Sequence, residues 1–154
     1  MSDPATELRG FDRSLPMALL SAREAAMQHF RPMLAEHDLT EQQWRVLRAL
    51  LAAGNPVGVS DLVDATNLLA PSLTRILANL ESRALITRRT DPADQRRAEV
   101  TLSTTGQHLV DRVAPESERI YLSIEERFGG KRLASLIGEL HELSTLLTPA
   151  DGGT

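Results

Sequence analysis

The sequence predicts a mainly α-helical fold with a small β-wing: a winged helix-turn-helix flanked by long terminal helices. Three observations carry this. Ser60–Thr66 and Pro71–Arg83 have apolar residues at helical spacing, set apart by Asn67-Leu68-Leu69-Ala70. Leu85–Arg89 and Ala98–Leu102 then read as two strands around a polar turn, Asp91-Pro92-Ala93-Asp94-Gln95-Arg96-Arg97. Long apolar helices stand on either side of this module. Helix, turn, helix and a two-stranded wing is a shape suited to reading DNA.

The elements follow in order. Residues 1–13 read as a flexible tail. Ser14 is placed to cap a first helix, with Pro16 in its first turn, where a missing N–H costs little. Leu15, Leu19, Ala22, Ala26, Phe30 and Met33 form its apolar stripe, and Pro32 is expected to kink or end it. Thr40-Glu41-Gln42-Gln43 is a capping box opening a second helix, with Trp44, Leu47, Leu50 and Leu51 expected inward. Gly54-Asn55-Pro56 stops that helix, and Val57-Gly58-Val59 is short enough to add a third strand to the wing. Ser103-Thr104-Thr105-Gly106 begins a long helix buried through Leu109, Val113, Ile120, Ile124 and Phe128, with a bend expected at Pro115. Gly129-Gly130 ends it. Lys131–Leu147 then carries Leu133, Leu136, Leu140, Leu143 and Leu147, an a/d seam.

These readings divide the chain into a tail (1–13), terminal helices expected to dimerise (14–38 and 103–148) and a winged helix-turn-helix (39–102). The seam packs either on the chain's own first helix or on a second copy. Two long apolar helices around a small module favour a homodimer, which also suits paired half-sites.

Composition narrows the function. There is no cysteine, which excludes disulfides and thiolate metal sites. No run reaches the roughly 18 apolar residues of a membrane span, and the polar N-terminus has no signal-peptide character, so a cytoplasmic protein is expected. The net charge is −4, yet Asn67–Thr101 holds six arginines against four acids, leaving that segment at +2. Histidines 29, 37, 108 and 141 are scattered, and no catalytic or phosphate-loop motif occurs. An enzyme is not expected, nor a cofactor. A metal-responsive winged helix, with His108 and Asp111 or Asp61 and Asp64 as ligands, is an alternative weakened by the sparse histidines. A dimerisation module without DNA leaves the wing arginines unexplained.

The N-terminal part of the second helix of such a motif meets base edges. Leu73, Ile76, Leu77 and Leu80 take the inward face, which leaves Ser72, Thr74 and Arg75 outward, with Asn79 a turn below. Arginine pairs bidentately with guanine, and hydroxyls reach phosphates or bases. On the wing, Asp94 and Arg96 stand two apart on a turn, so the carboxylate is placed to hold the guanidinium extended toward a narrow minor groove. Arg88 and Arg97 are better placed for phosphates.

These residues also carry a resemblance. Asp61-Leu62, Pro71-Ser72-Leu73-Thr74-Arg75, Leu80–Ile86, Asp91–Arg97 and Val100–Gly106 resemble the MarR family of winged-helix regulators. The resemblance runs from about Ser14 to Leu147. It implies a dimer joined by its terminal helices, repression from a near-palindromic operator, and release by a small aromatic acid. Regulators of efflux or stress genes within the same family are the alternative. Ala84 stands where the family usually has glycine. If that position has positive φ, alanine costs about 1 kcal/mol there. Ser14–Glu24, Phe30–Leu34 and Leu39–Arg48 resemble the subgroup repressing homoprotocatechuate degradation, which implies effectors such as 4-hydroxyphenylacetate.

A pocket for such an acid needs a cation and an apolar wall. The first two helices offer Arg23, Arg31, Arg45 and Arg48 beside Met27, Phe30 and Trp44. Arg23, next to the apolar stripe and four residues before Met27, is the first choice of anchor, with Arg48 across from it on the second helix.

Overall fold

Ser14 begins the first long helix as expected: its side chain accepts a hydrogen bond from the Met17 amide, and a proline occupies the first turn. The computed structural model describes residues 7–150, except the side chains of Asp91, Gln95 and Arg96. Within the stretch read as a tail, Phe11–Arg13 form a single 3-10 turn closed by Arg13 N–H to the Gly10 carbonyl at 2.9 Å. The order is then α1 (Leu15–Glu36), α2 (Glu41–Ala53), β1 (Val57–Gly58), α3 (Val59–Thr66), α4 (Ala70–Ser82), β2 (Ile86–Asp91), β3 (Asp94–Leu102), α5 (Thr104–Phe128) and α6 (Gly130–Leu147). Two compact units divide at Pro115, within α5.

The first unit is built on α2 to β3. The Thr40 capping box is complete: Thr40 Oγ1 accepts from Gln43 N–H at 3.1 Å, and Gln43 Oε1 accepts from Thr40 N–H at 3.0 Å. Gly54, in the left-handed region at φ 67°, ends α2. Asn67, at φ 54°, does the same for α3. The core is aliphatic: Leu47, Leu62, Leu73, Leu77, Leu80 and Val100 are fully enclosed. Burial of each such side chain contributes about 1.5–3 kcal/mol, which compensates for the scarcity of aromatics.

The expected inward faces of α2 and α1 need correction. On α2, Trp44, Leu47 and Leu50 are buried as expected, but Val46 rather than the 40% exposed Leu51 completes the face covered by α3 and α4. On α1, burial is confined to Phe30, Met33 and Leu34, while Leu15 and Leu19 stay exposed. Helix α1 also runs four residues past Pro32 to Glu36. An interior proline costs about 3 kcal/mol, and the buried Phe30, Met33 and Leu34 around it offset that. Helix α5 likewise continues through Pro115.

The sheet is antiparallel in the order β1-β3-β2, so the predicted third strand exists. Val57 pairs with Val100, and Ile86 to Thr90 pair with Leu102 to Ala98. The wing strands are longer than expected. Asp91 pairs with Asp94 across Pro92-Ala93, after a register shift at Thr90/Asp91. Backbone pairing thus reaches into the motif read as turn, leaving only two residues to reverse the chain.

Helices α1 and α4 end alike. Leu39 N–H reaches the Leu34 carbonyl and Asp38 N–H the Ala35 carbonyl. Leu85 N–H reaches the Leu80 carbonyl at 3.0 Å and Ala84 N–H the Glu81 carbonyl at 2.9 Å. These are Schellman caps, with a leucine pair closing each. The cap demands a left-handed residue, and Ala84 has φ 58°. Its alanine therefore sits where glycine would be unstrained. Ala84→Gly is expected to raise unfolding stability by about 1 kcal/mol, read by urea denaturation. An unchanged or lowered midpoint would show that no strain is stored there.

The second unit holds the remainder of α5 and α6. Gly129, at φ 101°, joins them. Arg132 lies 4.2 Å from the Phe128 ring centroid and donates to the Phe128 carbonyl at 3.2 Å. No residue of α6 is buried.

Candidate nucleic-acid interface and effector corner

Pro71 at the start of α4 and the spacing of Leu73, Leu77 and Leu80 fix which face of this helix turns out. Thr74, Arg75 and Asn79 are exposed and Ser72 is half-buried. Their chemistry differs. Thr74 Oγ1 donates back to the Ala70 carbonyl at 3.0 Å, which leaves its lone pairs outward. Arg75 engages no acceptor among the described residues, so its full fork of donors faces out. Asn79 is already used: its Oδ1 accepts from Gln43 Nε2 at 2.8 Å. The structure thus ties Asn79 to α2 rather than leaving it open beside Arg75.

The wing separates its arginines by strand alternation. Arg88 pairs with Val100 and shares the inner face with Ile86 and Val100, both buried. It is half-buried, and its Nε is enclosed with no hydrogen-bond partner among the described residues. Arg89 and Arg97 are exposed and border, with Thr90, Pro92 and Glu99, an open concavity of about 450 Å³. Asp94 faces Arg97, at 3.9 Å from its Nε, so an acid–base contact at the tip exists but involves Arg97. The expected Asp94–Arg96 pair falls on a side chain outside the described residues.

Helices α1 and α2 meet in a charged corner. Arg31 grips Glu24 through both terminal nitrogens at 3.0 Å. Arg23 donates to Glu24 at 2.8 Å and to Glu41 at 2.8 Å, and Arg31 Nε reaches the other Glu41 oxygen at 3.3 Å. The hydrogen bond from Arg23 is the main cause holding the Glu41 carboxyl below its ordinary value of 4.5, and that from Arg31 does the same for Glu24. Glu41 also stands in the first turn of α2, where negative charge suits the helix dipole.

A carboxyl whose folded pKa is depressed adds stability above its unfolded value, and loses it as pH falls through the folded value. The chain is expected to lose stability progressively below about pH 4.5, and Glu41→Gln to flatten that fall. Thermal unfolding of both proteins between neutral and acid pH checks this; parallel curves would remove Glu41 from the account.

Of the four candidate anchors, three are occupied. Arg23 and Arg31 hold Glu24 and Glu41, and Arg45 donates to the Thr66 carbonyl at 3.0 Å, closing the end of α3. Arg48 is exposed and has no partner among the described residues. Trp44, one turn before it, is buried, as is Phe30, while Met27 is half-buried. Spacing singled out these residues but not the carboxylates that claim Arg23 and Arg31. The pairs to Glu41 bridge two helices and have no local signature, while those to Glu24 lie within α1.

On the seam, Leu133, Leu140 and Leu143 are half-buried, and Leu136 and Leu147 are 42% and 65% exposed. Among the described residues no helix is long and apolar enough to cross a membrane, and no cluster of potential metal ligands occurs.

Comparison with known proteins agrees with this architecture. The model of the MarR family matches residues 37–97. The homoprotocatechuate degradative operon repressor of Escherichia coli is 41% identical over 133 residues, covering 86% of this chain and 89% of that protein. The crystal structure of the transcriptional regulator PA4135 superposes with a TM-score of 0.83 at 43% identity, covering 88% of this chain and 98% of that one. The crystal structure of NadR in complex with 4-hydroxyphenylacetate gives 0.77 at 36%, covering 90% and 97%. The resemblance read from the helix-turn-helix and the wing is therefore borne out, as is the expectation that the chain is not an enzyme. With its exposed α4 face, its three-stranded wing and relatives matched over most of their length, this chain belongs to the MarR family of DNA-binding, winged-helix transcriptional regulators.

Proposed function

We propose that the protein is a ligand-responsive repressor of an aromatic-acid catabolic operon, of the homoprotocatechuate or 4-hydroxyphenylacetate kind. It acts in the cytoplasm as a homodimer on a near-palindromic operator and leaves it when the acid binds. The observation that carries the ligand class is the pairing of one free guanidinium, Arg48, with the buried Trp44 one helical turn away. A carboxylate at Arg48 and a ring against Trp44, Phe30 and Met27 use that pairing, with Arg23 held in the adjoining ion cluster. The names of the E. coli repressor and of the NadR complex support the same class. The exposed leucines of α6 support a second copy as their cover, since burying each adds about 1.5–3 kcal/mol. Ser72, Thr74 and Arg75 read bases in this account, and Arg89 and Arg97 join Arg88 and Arg96 on the wing side of the duplex.

Release requires the acid to bind better to the protein off DNA than on it. A coupling of about 1–3 kcal/mol lowers operator affinity roughly 5–150-fold. The test titrates 4-hydroxyphenylacetate and 3,4-dihydroxyphenylacetate against the operator complex, with Arg48→Ala and Arg23→Ala alongside. The parent should release DNA, and Arg48→Ala should need more than tenfold more acid, the loss of a charged hydrogen bond of about 1.5–3 kcal/mol. No release by either acid at millimolar concentration would overturn the ligand class. An unchanged Arg48→Ala with a weakened Arg23→Ala would move the anchor to Arg23.

A further inference from the structure

The C-terminal half of the recognition helix is tethered to a corner of the structure well away from its base-reading end. Asn79 lies in the last turn of α4, and Arg83, four residues on, caps that helix. Asn79 Oδ1 takes the Gln43 amide at 2.8 Å, and Arg83 donates to the Asp38 carbonyl at 2.8 Å. Asp38 lies in the turn joining α1 to α2, and Gln43 in the first turn of α2. Asp38 stands there in the left-handed region at φ 55°, so its carbonyl direction is set by the Schellman cap of α1. Gln43 completes the capping box with Oε1 while its Nε2 holds Asn79. The same corner is gripped from α1, where Arg23 and Arg31 each reach Glu41, two residues before Gln43.

One short segment, residues 38–43, therefore carries polar contacts from α1 on one side and from α4 on the other. The reading half of α4, at Thr74 and Arg75, has no side-chain tie outside its own helix among the described residues. We propose that Asn79 and Arg83 are positioning residues that fix the angle of α4 against the α1–α2 corner, with Gln43 as the link. A change in how α1 meets α2 then turns the recognition helix. Asn79 acts on DNA through this tether and not by touching a base. The second half of this inference, transmission from ligand to α4, rests on the function proposed above; the first half does not.

The experiment uses the full chain and the duplex it selects from a random pool. Affinity is read by fluorescence anisotropy for Gln43→Ala, Asn79→Ala, the double variant and Arg83→Ala. Loss of one hydrogen bond, about 0.5–1.5 kcal/mol, corresponds to weakening of roughly 2–12-fold. The Gln43 and Asn79 variants should weaken binding by similar factors, and the double variant should be no worse than either, because both remove one bond. Arg83→Ala should fall in the same range and keeps the test open if Gln43→Ala does not fold. If Asn79→Ala weakens binding while Gln43→Ala does not, or if their effects multiply, Asn79 contacts DNA itself and the tether is overturned.

For transmission, 4-hydroxyphenylacetate is the probe. Its binding is followed by the emission of Trp44, the single tryptophan. In the variants the acid should still change Trp44 emission but shift DNA affinity by a smaller factor than in the parent. An equal factor would overturn transmission through the corner. If the acid affects neither emission nor DNA affinity of the parent, the effector reading fails instead, and the affinity cycle alone decides the tether.

Discussion

Gly106→Ala should destabilise the protein by about 3 kcal/mol, the upper range for forcing atoms into a packed site. A Cβ there would overlap the Leu85 carbonyl oxygen and stand 2.8 Å from Leu102 Cδ1 and 3.1 Å from the Leu85 carbonyl carbon. The backbone has little room to yield. Leu85 O already accepts from Ser103 N–H at 3.1 Å, Ser103 Oγ donates to the Ala84 carbonyl at 2.6 Å, and Gly106 N–H donates to Ser103 Oγ at 2.9 Å. This knot fastens the start of α5 to the strained end of α4. Glycine is needed at 106 for close approach and not for a special dihedral angle, since the residue lies within α5. Denaturant unfolding measures the loss. A variant within about 0.5 kcal/mol of the parent would mean that the two segments slide apart cheaply.

Arg75→Ala should weaken operator binding by about 1–3 kcal/mol per half-site, roughly 5- to 150-fold, with the fold unchanged. The guanidinium is exposed and unpaired among the described residues, so truncation leaves no buried group stranded and its effect on binding reads the proposed contact alone. Arg97→Ala is the comparison. Its side chain is 80% exposed at the wing tip, beside Asp94. As a phosphate contact it should weaken binding to all duplexes alike and lower the salt slope by about one. Arg75→Ala should instead relax discrimination at one base pair of each half-site. Competition binding on single-substituted duplexes separates the two patterns. Equal discrimination in Arg75→Ala and the parent would remove Arg75 from base readout.

Much of this arrangement was legible because it obeys local rules. The Thr40 capping box, the Ser14 cap, the stop at Gly54 and the outward placement of Thr74 and Arg75 each depend on residues within one or two turns. Ala84 stands out only through the resemblance, which has glycine at that place, and its φ of 58° makes it the left-handed residue of the α4 cap. What resisted the reading depends on the element standing opposite. Val46 rather than Leu51 is enclosed because α2 is covered by α3 and α4 at an angle that its own periodicity leaves open. Pro32 is expected to kink or end α1; it does not end it, because the buried Phe30, Met33 and Leu34 carry the helix past it. The Arg23–Glu41 and Gln43–Asn79 hydrogen bonds join residues 18 and 36 apart in sequence. A hydrogen bond between side chains so far apart in sequence leaves no periodic trace in either helix; it exists only once packing has set the angle at which the helices cross.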